Sequence, residues 1–248
     1  MVDDPQYFRN IAWHREHYRE YRHGNDGHRD DSIWGDDEIA RTKMHEYFQT
    51  IADIQKSSVE TIIDIGALNG RWEEFLFDYG AKIICVDLFD DCFGNIKDRY
   101  PNEIDRLEFY VTKGTELHGI ETDSVDVVFS ANSLTRLIQS EMGEYFDEFY
   151  RVLKPNAKVI VNFGLNWDAE ESERFINNYN EKFDVLHYSL YYWSEEAEVH
   201  PNIQLLLEAG IQLGADLEKI ISLQSQLADA GSPQSKGWIA ILQKKQDD

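Results

Sequence analysis

Asp64, Gly66, Gly70 and Asp87 are the residues whose types and spacing point to chemistry. Asp64 lies in the apolar run 62–65, and the stretch Gly66-Ala67-Leu68-Asn69-Gly70 follows it directly. A glycine has no Cβ, so a turn bracketed by two of them lets a ligand approach the backbone closely. About twenty residues beyond the turn, Asp87 closes a second apolar run, 82–87. An acid at that place accepts hydrogen bonds from the two hydroxyls of a ribose. The spacing therefore points to a ligand that carries adenosine.

A dinucleotide site would need a third glycine, as Gly-x-Gly-x-x-Gly, and would set a pyrophosphate at the turn. Here that glycine is missing, and Asp64 would repel a pyrophosphate while attracting an ammonium group. The stretch Asp64-Ile65-Gly66-Ala67-Leu68-Asn69-Gly70 resembles the Asp/Glu-x-Gly-x-x-x-Gly first motif of class I S-adenosylmethionine-dependent methyltransferases. Two later blocks agree with it. Asp123-Ser124-Val125-Asp126-Val127-Val128-Phe129-Ser130 resembles that family's Asp-x-Ser-Phe-Asp entry into the fourth strand, and Tyr150-Arg151-Val152-Leu153-Lys154-Pro155-Asn156-Ala157 its Arg-x-Leu-Lys-Pro-Gly-Gly turn before the fifth. The blocks occur in the family's order and span roughly 58–165, which makes them more specific jointly than singly, and the chain resembles the small-molecule, type 11-like branch.

The resemblance implies S-adenosyl-L-methionine as cofactor, with contacts from Asp64, Gly66, Ala67, Leu68, Asn69, Gly70, Asp87, Leu88, Thr115, Glu116, Ser130 and Asn132. Three positions depart from the pattern. Relatives often carry Asp-Ala after the third strand to read adenine, whereas this chain has Lys113-Gly114, so Thr115 or Glu116 takes that part or backbone groups do. Arg136 stands where many relatives have a histidine, and an arginine is no base at neutral pH. Asn156-Ala157 replaces a glycine pair, a mild change because Asn tolerates a left-handed turn.

Methyl transfer needs alignment of donor and acceptor, and a general base only if the acceptor is a hydroxyl or a protonated amine. The candidates are His14, His17 and Tyr21, then His118 and His187, although side chains of these types are more often structural or solvated than catalytic. Tyr191, Tyr192 and Trp193 either line an aromatic pocket or fill the core. Four of the eight histidines, His14, His17, His23 and His28, fall near Asp30 and Asp31, but their spacing matches no zinc signature and no metal is expected.

Elements that would position these residues follow from periodicity. Strands are expected at 61–65, 82–87, 107–112, 124–130 and 158–162, and helices at 71–79, 90–100 and 141–153. Pro101 stops the second of those helices. This alternation gives an α/β, doubly wound, seven-stranded, mostly parallel sheet of the Rossmann-like methyltransferase type. Residues 1–56 read as an N-terminal helical cap or lid, with Ile39, Met44, Tyr47, Phe48, Ile51 and Ile54 along one side of its second half. Residues 57–248 read as the core, closed by strands at 183–193 and 237–243 with a helical insertion at 194–235 that shapes the acceptor pocket, makes a homodimer contact or simply covers the sheet.

Composition narrows the partners. A net charge of −23 repels a phosphate backbone, so no nucleic acid is expected. Two cysteines give no disulfide framework, the first residues lack the apolar core of a secretion signal, and no run reaches the roughly 20 apolar residues of a membrane span. A cytoplasmic protein away from membranes, acting on a small-molecule methyl acceptor, is the expectation. The rival is a methyltransferase-like binding or partner subunit without activity; a nicotinamide-dependent oxidoreductase is disfavoured by the missing glycine.

Overall fold

A computed structural model describes residues 37–134, 137, 139–163, 178–192, 212–214 and 236–246. Its strands are β1 (Val59–Ile65), β2 (Gly80–Asp87), β3 (Leu107–Val111), β4 (Val125–Leu134), β5 (Leu153–Phe163), β6 (Phe183–Tyr192), β7 (Gln212–Gly214) and β8 (Lys236–Lys244). Its α-helices are α1 (Asp37–Glu46), α2 (Glu73–Leu76), α3 (Asp91–Arg99) and α4 (Gln139–Val152), and a π-helical turn, Tyr47–Ile51, continues α1.

The strands form one sheet in the order β3-β2-β1-β4-β5-β8-β6-β7. The pairs β1 with β2, β1 with β4, β2 with β3 and β4 with β5 are parallel. β8 runs antiparallel to both neighbours, β5 and β6. The order reverses between β1 and β4, and in open α/β sheets the crevice outside the carboxyl ends of the strands at such a point is where ligands bind. Seven of the strands follow the expected pattern; β7, three residues within the expected insertion, is added at the edge beside β6.

β-branched strands buried on both faces demand a layer on each side. On one face α4 contributes Met142, Phe146 and Phe149 against Ile63, Val86, Val128 and Val161. On the other, α1 and its π turn supply Met44 and Phe48, and α2 supplies Phe75 and Leu76, against Ile62, Ile83, Phe129 and Ile241. Phe48 is fully buried and packs edge-on to Phe75, 5.1 Å between centroids. The second half of the expected lid is thus a layer of the core, while residues 1–36 lie outside those described.

Two elements differ from the periodicity reading. The helix expected at 71–79 is only the four residues of α2, and the chain then turns at Tyr79, whose ring fills the core, directly into β2. β5 begins at Leu153 rather than 158 and absorbs the Lys154-Pro155-Asn156 turn, with Asn156 at φ +64°, the left-handed conformation expected of it.

The later sequence blocks knit the sheet. Asp126 Oδ2 accepts hydrogen bonds from the backbone N–H groups of Glu60 and Thr61, both 2.9 Å, which would otherwise be lost at the start of β1. Its other oxygen accepts from Lys154 Nζ at 2.9 Å. Arg151 donates to the carbonyls of Ile120 and Leu117, each 2.9 Å, and fastens the loop before β4 to α4. No helix among the described residues is long and apolar enough to cross a membrane.

Because Asp126 joins three strands, Asp126→Ala should destabilise the protein by about 1–3 kcal/mol, the scale of stranded partners plus a charge-assisted bond. Urea unfolding, with Asp126→Asn intermediate, checks this.

Candidate functional site

β1 ends at Ile65 and the chain turns through Gly66 (φ +78°), Leu68 (φ +48°) and Gly70 (φ +80°) before α2. The turn is pinned to the end of β2. The N–H groups of Gly66 and Ala67 both donate to Val86 O, at 2.8 and 3.2 Å, and Leu68 N–H donates to Asp87 Oδ2 at 3.0 Å. Asp87 Oδ1 accepts from Leu88 N–H at 2.7 Å. From α3's end, Tyr100 Oη and Arg99 Nη1 donate to Gly70 O, at 2.7 and 3.2 Å. The left-handed conformation at Leu68 costs about 1–2 kcal/mol for a residue with a Cβ, and the side chain is left 42% exposed at the mouth of the crevice.

Packing within the protein already requires both glycines. A Cβ on Gly66 would lie 1.8 Å from Ser133 Oγ, because the end of β4 presses on the turn and Ser133 Oγ donates to Gly66 O at 3.2 Å. A Cβ on Gly70 would meet Ile96 at 3.0 Å and Tyr100 at 3.2 Å. These contacts give both glycines a packing reason, room for β4 and α3, beside the close ligand approach expected of them.

Three carboxyl groups gather beneath and beside this turn. Asp64 is buried at the end of β1, and its carboxyl is raised well above its usual range by burial and then by the neighbouring charges of Glu73 and Asp87. Glu73, on α2, is fully buried and pushed up to about 7, chiefly by desolvation; Arg99 offsets part of this. Cys85 Sγ donates to Glu73 Oε1 at 3.5 Å, and Glu73 Oε2 has no partner. Sequence reasoning missed Glu73. Its signal was an acid placed between Trp72 and Phe75, both of which the fold buries.

The other expected cofactor residues separate into groups. Ala67, Asn69 and Leu88 lie on or beside the turn, with Ala67 O accepting from Gly70 N–H at 2.9 Å. Ser130 is buried and its hydroxyl is spent on Ile65 O at 3.0 Å, tying β4 to β1. Thr115 is buried and donates to Glu144 Oε2 at 2.7 Å, so of the two adenine candidates the exposed one is Glu116. Asn132 belongs to β4, but its side chain lies outside what is described, as do His14, His17 and Tyr21 entirely. His118 is exposed, whereas His187 is buried on β6 beside Tyr47, 5.8 Å between ring centroids, with its basicity lowered by burial. Tyr191 and Tyr192 end β6, and Trp193 lies outside the described residues. Among the described residues no cluster of three or more His, Cys, Asp or Glu has the arrangement of a metal site.

The arrangement fits a nucleoside bearing a cationic side chain. Asp87 is held by two backbone N–H groups at the carboxyl end of β2, the place where an acid suits a pair of sugar hydroxyls. A cation at the turn would help Asp64 and Glu73 to ionise, whereas a diphosphate would hold them protonated still further.

Residues 63–161 match the family model of a methyltransferase domain. Over 117 residues the chain is 25% identical to phosphoethanolamine N-methyltransferase 2 of Caenorhabditis elegans, which is 47% of this chain and 26% of that protein. The chain thus spans about a quarter of the length of that curated relative. Solved structures share the fold. The N-methyltransferase NodS of Bradyrhizobium japonicum, in complex with S-adenosyl-L-homocysteine, aligns at TM-score 0.56 with 11% identity, over 84% of this chain and 87% of that one. The [4+2]-cyclase SpnF aligns at TM-score 0.56 with 15% identity, over 87% of each chain.

Two outcomes follow from the turn's packing and charge. Gly66→Ala should destabilise the protein markedly, and Ser133→Gly should recover part of the loss; a thermal double-mutant cycle without coupling between the two sites would contradict the contact. Glu73 has an ordinary value of 4.5 and a folded value of about 7, so the folded state holds the extra proton between those limits. Stability should therefore fall as pH rises from about 4.5 to about 7, and Glu73→Gln should flatten that slope in Tm against pH.

Proposed function

We propose, on the premise that residues 63–161 are a domain of the class I S-adenosylmethionine-dependent methyltransferase family, that this chain methylates an oxygen or nitrogen of a small-molecule metabolite. The observation that carries the reading is Asp87, fixed at the carboxyl end of β2 with both oxygens on the backbone around the turn, one strand from the reversal of strand order. Bound S-adenosylmethionine supplies a methyl group already activated on a sulfonium.

The chain's own residues do the rest. Asp87 holds the ribose, and Leu68 and Leu88 flank the nucleoside. Asp64, raised by burial and by its acidic neighbours, offers the ammonium end a carboxyl group that a nearby cation helps to ionise. Lys113 leaves the adenine to backbone groups and Glu116. Alignment and exclusion of water lower the barrier to an in-line displacement. Where the acceptor is a hydroxyl or a protonated amine, His187, kept neutral by burial, is a base of suitable protonation state alongside His14, His17 and Tyr21. A net charge of −23 favours a small acceptor over a nucleic acid and suits a cytoplasmic setting.

A second reading, a binding or partner subunit without methyl transfer, is favoured by two observations. Thr115 and Ser130 spend their hydroxyls inside the protein, and a cyclase shares the fold. Titration calorimetry with S-adenosylmethionine, S-adenosylhomocysteine and NAD, followed by detection of S-adenosylhomocysteine released from a metabolite pool, separates these readings. Cofactor binding with no release from any pool would favour the partner subunit, and NAD binding alone would overturn both.

Asp87→Ala should weaken S-adenosylhomocysteine binding by about 1–3 kcal/mol, because it removes the ribose acceptor and strands Leu68 N–H. An unchanged Kd in a folded variant would place the sugar elsewhere.

A further inference from the structure

Asn162 stands next to last in β5, at the carboxyl edge of the sheet, and is 1% exposed. Its side-chain nitrogen and oxygen both lack a hydrogen-bond partner. A buried amide left wholly unpaired costs folding energy that a leucine of similar size would not, so such a residue calls for an explanation beyond packing.

Register places it. Asn162 pairs with Ile239 of β8 and lies two residues beyond Ile160, so it shares the face occupied by Ile160, Ile239 and Phe129. This is the face covered by α1 and its π turn, and it also holds His187, whose cross-strand partner is Ile241. β5 is two strands from β1, which sets Asn162 roughly 10 Å sideways from the end of the strand that leads into the Gly66 turn. That offset is about the length of a small molecule lying across the strand ends. The neighbours on this face along and across the strands, Ile160 and Ile239, are apolar.

We propose that Asn162 is a binding and specificity residue for the methyl acceptor, and that the group it holds is neutral with an adjoining donor and acceptor: an amide, a lactam or a hydroxyl. The inference rests on the methyltransferase reading for the word acceptor, but the recognition follows from the amide alone. An Asn offers one carbonyl acceptor and two N–H donors, and it pairs fully only with a group that presents both roles. A phosphate or carboxylate would satisfy the N–H groups, leave the carbonyl orphaned and bring an uncompensated charge against isoleucine.

The test is a thermal-shift panel on the full chain, wild type and Asn162→Leu, each with S-adenosylhomocysteine. The probes are primary amides, lactams, phenols, aliphatic alcohols, carboxylic acids and phosphate monoesters. At least one neutral class should raise the Tm of the wild type, and Asn162→Leu should lose that shift while keeping the one produced by S-adenosylhomocysteine. In turnover with a responsive probe class, KM should rise at least tenfold with a smaller change in kcat. Asn162→Asp, which keeps the size and an acceptor but loses the donors, serves if the leucine variant does not fold. The proposal is overturned if no class shifts the wild type, if only anionic probes do, if the shift survives in the variants, or if a crystal structure shows only ordered waters saturating the amide with a responsive probe bound elsewhere. A wild type that shows no shift with S-adenosylhomocysteine sinks the methyltransferase reading instead, and the panel without it still decides whether Asn162 binds neutral polar groups.

Discussion

The carboxyl edge of this sheet depends on the hydrogen bonds that clamp the 66–70 turn between β2 and β4. Val86 O takes two N–H groups from the turn, Asp87 takes a third, and Ser133 Oγ donates to Gly66 O from the opposite side. A left-handed excursion at Gly66, Leu68 and Gly70 leaves these groups no partners within a regular helix or strand, so the neighbouring strand ends must supply them. Once they do, Asp87 is fixed in place at the end of β2. A rigid acid at the end of β2 is a consequence of how the turn satisfies its own backbone.

The same turn gathers carboxyl groups in a poorly solvated place. Burial raises both Asp64 and Glu73, the charge of Glu73 adds to the cost of ionising Asp64, and Cys85 supplies only a weak donor. The proton on Glu73 is thereby held above the ordinary carboxylate range, up to about 7. Folding tolerates this because the proton removes most of the penalty.

A division of labour runs along the sheet. From β3 to β4 the strand ends are occupied by bonds within the protein: Thr112 Oγ1 to the carbonyls of Gly114 and Glu116, Thr115 to Glu144, Ser130 to Ile65. At β5 Asn162 has neither amide atom paired, while His187, its basicity lowered by burial, lies further back in the sheet, level with Ile160.

The alternation of strands and helices, their order and the place of the turn were legible in the sequence, because short β-branched runs bounded by glycine and proline admit few other readings. The place of Asp87 at the end of β2 was legible too, but its bonds to the N–H groups of Leu68 and Leu88 were not. The later blocks were recognised as signatures, but their physical roles were not: Asp126 and Lys154 meet across 28 residues, and only folding shows that they close the start of β1. Gly66 was read as space for a ligand; only the tertiary structure shows that a side chain there would also meet Ser133, which is 67 residues away. Glu73 and Asn162 carry no local mark, because periodicity records how many apolar residues face the core and is silent about which polar atom, once buried, finds no partner. Local pattern thus determined the layers and the crevice, while the state of each polar group inside them was decided by contacts between segments far apart in the chain.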